Sequence, residues 1–255
     1  MMPRWMARTS VVLFSLALLY PLSGLFSRVG PWRWDEEVAN PTLASIRVSL
    51  LWTGTAMLVV LLVGTPVAIY VARAAPRERL WWQSVLILSI LLPPLALGIL
   101  LSMAFGPGGW IGRGLDHAGI RVSNNIGAFV VTQIYVSIGY YILGAIAAFS
   151  SIPPMLEKQA ALLGQPPWQV FWRITFPLAR LGLAVAFSVA WVRALGEFGA
   201  VVVTAYYPSG MPVQLWVNLQ SFGLPAVMPL LFVFLVTALP LPWIAHLLAQ
   251  RRPHA

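Results

Sequence analysis

Arg193 and Glu197 sit where charge is least welcome, and their spacing limits what they can be doing. They are the only Asp, Glu, Lys or Arg side chains in the apolar run 181–206. On a helix, a separation of four places them on one face, within pairing distance. Either charge alone at the centre of a lipid-spanning helix costs about 2.5 to 3.5 kcal/mol on insertion scales, so both should face protein or water. A rise of about 1.5 Å per residue from Arg180 carries Arg193 roughly 20 Å inward, near the middle of a membrane. Two roles stay open on this pattern. The pair locks its helix against neighbours, or it lines a pathway or gate in which Arg193 favours an anion and Glu197 holds the arginine. Gly196 and Gly199 would let another helix, or a second copy of the chain, approach closely.

Other chemistries lack their residues. His117, His246 and His254 are scattered, and the chain has no Cys, which removes disulfides, thiolate metal sites and cysteine nucleophiles. No metal or other cofactor is expected. A phosphate-binding Walker loop needs a Gly-rich turn ending in Gly-Lys-Ser/Thr, yet the single lysine, Lys158, follows Glu157. An aspartic-type site needs paired carboxylates, and Glu197 is the one carboxylate within the apolar runs. The chain reads as a non-enzyme.

The elements that must position these residues are membrane helices. Of 255 residues, 59% are hydrophobic and 9% charged, against roughly 25% charged in a soluble domain. Residues 9–27, 48–72, 80–112, 122–156 and 198–250 contain no Asp, Glu, Lys or Arg, and about 20 apolar residues span a bilayer as a helix. Together with the run holding Arg193, this predicts an all-α polytopic protein of about six transmembrane helices, near 9–27, 47–73, 82–106, 126–149, 178–206 and 225–249. The first is read as a membrane helix in preference to a cleaved signal peptide, because 11–26 is long and lacks a clear small-residue cleavage site.

Charge sets the orientation. Arg4, Arg8, Arg73, Arg77, Arg79, Lys158, Arg173, Arg180, Arg251 and Arg252 fall on one side, against Arg28, Arg33, Arg47, Arg113 and Arg121 on the other. Ten against five predicts both termini in the cytoplasm. The formal charge of +9 then reflects orientation and contact with anionic lipid, not nucleic acid. Trp32, Trp34, Trp81, Trp82 and Trp243 suit the interfacial belt. Pro66, the pair Pro93 and Pro94, and Pro240 with Pro242 interrupt the backbone ladder, which neighbouring helices must then satisfy.

Residues 150–180 form a connection far longer than the usual 4 to 6 residues. Residues 155–163 are good helix formers, Gly164 ends that helix, and Pro166 and Pro167 can open a second piece. Leu156, Ala160 and Leu163 would make a short apolar face beside Glu157 and Lys158. The pattern suits an amphipathic elbow on the lipid headgroups as well as a docking site for a soluble partner.

The stretch Glu157, Lys158, Gln159, Ala160, Ala161, Leu162, Leu163, Gly164, followed by Ile174 and Pro177, resembles the signature loop of ABC importer permeases. In that family the pattern runs Glu-Ala-Ala, three residues, Gly, nine residues, Ile, one residue, Leu-Pro. Gly164, Ile174 and Pro177 match in register and Ala160 matches the second alanine. Lys158 stands where the family has glutamate, Gln159 replaces the first alanine, and Phe176 replaces leucine. The segments 92–98, from Leu92 to Gly98, and 193–200, with Arg193, Gly196, Glu197 and Gly199, are similar to the molybdate, tungstate and sulfate branch.

The resemblance implies a type I, MetI-like fold in a bacterial or archaeal inner membrane. It further implies that Glu157, Lys158, Ala160, Ala161, Gly164, Ile174 and Pro177 belong to a coupling loop docked on one of two ATPase subunits, that an external binding protein delivers a small oxyanion, and that the permease works as a pair, most simply a homodimer. The division expected is a first helix and outer loop at 1–46, a permease domain at 47–250, and a cytoplasmic tail at 251–255. The alternatives are a permease of the same superfamily for phosphonate, iron, thiamine or polyamine, and a stand-alone carrier or channel.

Overall fold

The computed structural model describes residues 4–26 and 31–250. Arg28, Arg251, Arg252, His254 and the tail 251–255 lie outside the described residues. Among those described, every regular element is helical.

Helix α1 (Arg4–Leu19) runs into a 3-10 segment (Tyr20–Phe26). Helix α2 (Glu36–Arg73) is 38 residues long, about 57 Å at the helical rise. It starts eleven residues earlier than the apolar pattern suggested (47 against 36), and local chemistry explains why. The Asp35 carboxylate accepts the Val38 N–H at 3.3 Å, and Glu36 and Glu37 occupy the first turn, where the helix dipole favours anions. Arg47 therefore lies within α2, and the helix continues through Pro66.

The third apolar run is not one rod. Leu92 and Pro93 are extended, as a residue preceding proline prefers, and Pro94 opens a new helix at its first position. The result is α3 (Pro76–Leu91) and α4 (Pro94–Phe105), bent by 102° from one another. After the short α5 (Trp110–His117), α6 (Ile126–Ser150) begins where Asn125 caps the Ala128 N–H at 2.9 Å. Next come α7 (Pro154–Leu162), α8 (Pro167–Val170), a π-helical turn (Phe171–Thr175) and α9 (Phe176–Leu195). The chain closes with α10 (Val201–Thr204), α11 (Met211–Phe222), α12 (Leu224–Ala238) and α13 (Pro240–Gln250).

Among the described residues, four continuous stretches are long and apolar enough to span a membrane, within Glu36–Arg73, Ile126–Ser150, Pro167–Leu195 and Leu224–Ala245; the bent α3–α4 pair makes a fifth if it is one span. That is slightly fewer than six, because the first apolar stretch, Arg8–Gly24, is shorter. One other expectation changes. The fifth helix ends at Leu195, not near 206, and the sixth starts at Leu224 and is interrupted at Leu239, next to Pro240 as expected, without losing its span.

Helix α6 lies at the centre, with α2 on one flank and α9 on the other. Backbones approach where side chains are missing or small. A Cβ on Gly144 would stand 2.6 Å from that of Ala186, one on Gly182 2.6 Å from that of Ala148, and one on Gly64 2.8 Å from the Tyr141 ring. In lipid, where expelling water from between helices supplies little drive, such close packing is what holds helices together. Outward-facing Leu51, Leu62, Leu88 and Leu91 are exposed, as lipid contact requires. The Trp side chains assigned to the interfacial belt are exposed as well.

Helix α11 escaped the pattern reading because its buried side mixes the polar Gln214 and Asn218 with the apolar Met211 and Val213. The Met211 N–H donates to Ser49 at 2.7 Å, Gln214 donates to Asn218 at 2.8 Å, and Asn218 donates to Thr42 and to the Ala226 carbonyl, both at 3.3 Å. These bonds satisfy buried polar groups that would otherwise each lose about 1 to 3 kcal/mol.

Candidate functional site

The charged pair lies at a break. Because α9 stops at Leu195, Glu197 stands in the turn leading to α10, and the four-residue spacing still brings the side chains together. Glu197 is bonded to the Arg193 guanidinium through one carboxylate oxygen, and its other oxygen accepts the Ala200 N–H at 2.6 Å. The carboxylate is 1% exposed and the arginine side chain 25% exposed. A buried anion is tolerable only when so satisfied. The guanidinium also lies 5.9 Å from the Tyr140 ring centroid, within reach of a cation–π contact. Among the described residues, Arg193 has no second carboxylate, which leaves further N–H donors for another acceptor.

The glycines differ. A Cβ on Gly199 would come within 2.9 Å of the Pro94 Cβ, and one on Gly98 within 2.8 Å of the Ala200 carbonyl oxygen. The turn carrying Glu197 therefore packs directly on the start of α4, so the 92–98 and 193–200 segments form one locus. Gly196 is exposed, and the nearest atom on another element from a Cβ there would be Phe234 at 3.8 Å.

The second candidate is the elbow at 150–180. Pro154 starts α7, and Gly164 ends it at φ +80, a conformation open to glycine, as the Gly164 and Gln165 N–H groups bond back to Ala161 and Ala160 at 3.0 and 3.1 Å. Glu157 turns inward. Its carboxylate accepts from Arg73 at 2.8 Å and from the Thr175 hydroxyl at 2.9 Å, while Arg73 also donates to the Ile152 carbonyl at 3.3 Å. Arg73 is the last residue of α2 and Thr175 the last of the π turn, so one carboxylate joins α7 to both.

The apolar face expected from Leu156, Ala160 and Leu163 is divided. Ala160 is buried at 6% exposure, while Leu156 is exposed and Leu163 is 82% exposed. The outward stripe is instead Met155, Lys158, Gln159, Leu162 and Leu163, all exposed, at the i, i+3, i+4, i+7, i+8 spacing of one helix face. Ala161 and Gly164 are exposed, and Ile174 and Pro177 are partly buried. Arg73 and Thr175 had no sequence signal tying them to Glu157. The stripe did have one, in the seven-residue interval from Met155 to Leu162.

Away from the membrane interior, Arg33 bonds to Asp35 at 2.6 Å and Glu37 at 2.9 Å, and the Asp35 hydrogen bond foremost raises its pKa above the ordinary value. Arg121 pairs with Asp116 at 3.6 Å.

A polytopic helical membrane protein with a folded elbow between two spans is the class these features define. Residues 64–253 match the family described as binding-protein-dependent transport system inner membrane component, and the chain belongs to that family. It is 29% identical over 252 residues to a probable molybdenum ABC transporter permease protein of Haloferax volcanii, covering 97% of this chain and 92% of that one. It is 30% identical over 243 residues to the molybdenum transport system permease protein ModB of Mycobacterium bovis, covering 93% and 92%. To the sulfate transport system permease protein CysT of Escherichia coli it is 27% identical over 251 residues, covering 95% and 91%. Among solved structures, a chain of the bacterial alginate ABC transporter superposes with a TM-score of 0.73 at 18% identity, covering 96% of this chain and 93% of that one, which is a likeness of fold.

Proposed function

We propose that this chain is the permease of an ATP-driven importer for a tetrahedral oxyanion, molybdate, tungstate or sulfate. It works as a pair, most simply two identical copies, with two soluble ATPase subunits and an external binding protein that delivers the anion. Residues 47–250 act as the permease domain, and both termini face the cytoplasm. ATP is hydrolysed on the separate subunits, so this chain is not itself an enzyme. The molybdenum and sulfate permeases above support the solute class.

The observation that carries the mechanism is the elbow. Its exposed stripe offers a soluble partner a grip, and Glu157 ties the same helix to Arg73 at the end of α2. Movement of the ATPases is thereby passed to a 38-residue rod packed on the central helix α6. Rigid rocking of packed helices about such a contact is how alternating access is achieved. Arg193, held by Glu197, presents its remaining N–H groups to the anion at the break between α9 and α10, where Gly199 admits α4. Vesicles holding the full assembly should accumulate radiolabelled molybdate or sulfate only when ATP is supplied inside and the binding protein outside. Uptake driven by an ion gradient without ATP would instead make this a carrier.

A further inference from the structure

The exposed stripe of α7 places a cation in the middle of an apolar surface. Lys158 has Met155 one turn before it and Leu162 one turn after, and Leu162 is 87% exposed. A partner that covers these apolar side chains also meets the ammonium group between them, because all lie on one helix face. The neighbouring carboxylate cannot neutralise it, since Glu157 points the other way and is engaged by Arg73 and Thr175. Among the described residues Lys158 forms no ion pair. An ammonium taken out of water without an anion is strongly disfavoured.

We infer that the ATPase cleft receiving α7 carries an Asp or Glu side chain at the point where Lys158 enters, between apolar subsites for Met155 and for Leu162 with Leu163. This rests on the docking proposed above and adds to it the sign of the partner's charge. A carboxylate there gives the elbow a preference among ATPases, since a cleft with a basic side chain at that point repels Lys158. The elbow's charge and its lever are thus separate: Lys158 selects the partner and Glu157 transmits its movement.

The chain's single lysine makes a direct test possible. The full permease is purified with the ATPase subunits of its own transport system and treated with a water-soluble carbodiimide, which condenses an amine with a carboxylate in contact with it. Mass spectrometry should find Lys158 joined to an Asp or Glu of the ATPase, and the product should vanish in Lys158→Arg, which keeps the charge and the complex. Lys158→Glu should lower ATPase retained on the permease at least tenfold, and so should Leu162→Asp. If Leu162→Asp releases the ATPase while Lys158→Glu retains it and no Lys158 product forms, docking stands and the carboxylate is overturned. If both variants retain the ATPase fully, the docking reading falls with it. Protection of Lys158 by lipid vesicles lacking ATPase would place the stripe on headgroups and overturn both.

Discussion

At the scale of single residues, two carboxylates do unlike work. Glu197 is sealed from solvent and held by one guanidinium and one backbone N–H, so its energetics depend on Arg193. Removing one partner of a buried pair typically costs about 3 to 5 kcal/mol, although Arg193 is partly exposed and the lower end applies. Arg193→Ala is expected to abolish uptake in reconstituted vesicles while ATPase subunits still co-purify; normal uptake would confine the pair to a structural role. Glu197→Gln retains an oxygen for the Ala200 N–H and loses the ion pair, so it should fold yet transport poorly. Glu157 is only partly buried, and exposure discounts its pair with Arg73. Glu157→Gln should therefore lower thermal stability by about 1 kcal/mol. The more telling readout is coupling, with ATP hydrolysis continuing while uptake per ATP falls.

At the scale of elements, what the sequence made legible is where the chain meets lipid, and what it hid is where helices break or pair across distance. The span of α6 followed from its uninterrupted apolar run, and the end of α7 from Gly164. The early start of α2 was written in Asp35, Glu36 and Glu37, but apolar counting overlooks caps. The 102° bend at Pro93 and Pro94 was foreseen as an interruption and not as a corner, since proline dictates that a helix is disturbed while packing dictates by how much. The locus of Gly98 against Ala200 and Gly199 against Pro94 joins segments about a hundred residues apart, and a single sequence has no pattern that reports such contact. Because the approach is backbone to backbone, relaxation is limited. Gly98→Leu is expected to cost about 1 to 3 kcal/mol by overpacking and to broaden the size-exclusion profile in detergent, whereas Gly54→Ala, inside α2 with open space around its Cβ, should leave the profile unchanged and cost no stability.

At the scale of the whole molecule, the count of basic residues and the helix order are the grounds for the proposal that α7 faces the cell interior. Carboxylate pairing occurs on both sides: Arg33 bonds to Asp35 and Glu37 and Arg121 to Asp116, while Arg73 bonds to Glu157 and Lys158 has no carboxylate among the described residues. Orientation follows the number of basic residues and not their net charge, so it is the ten-to-five count itself that favours an elbow inside the cell. The absence of cysteine makes the orientation measurable with single substitutions. Ser209, beyond α10, and Gln165, beyond α7, lie on opposite sides in the proposed arrangement. In intact cells a membrane-impermeant maleimide should label Ser209→Cys and leave Gln165→Cys untouched until the membrane is permeabilised. The reverse pattern would put the elbow outside, where no ATPase could reach it, and the rod joined to it through Arg73 would have no engine to move it.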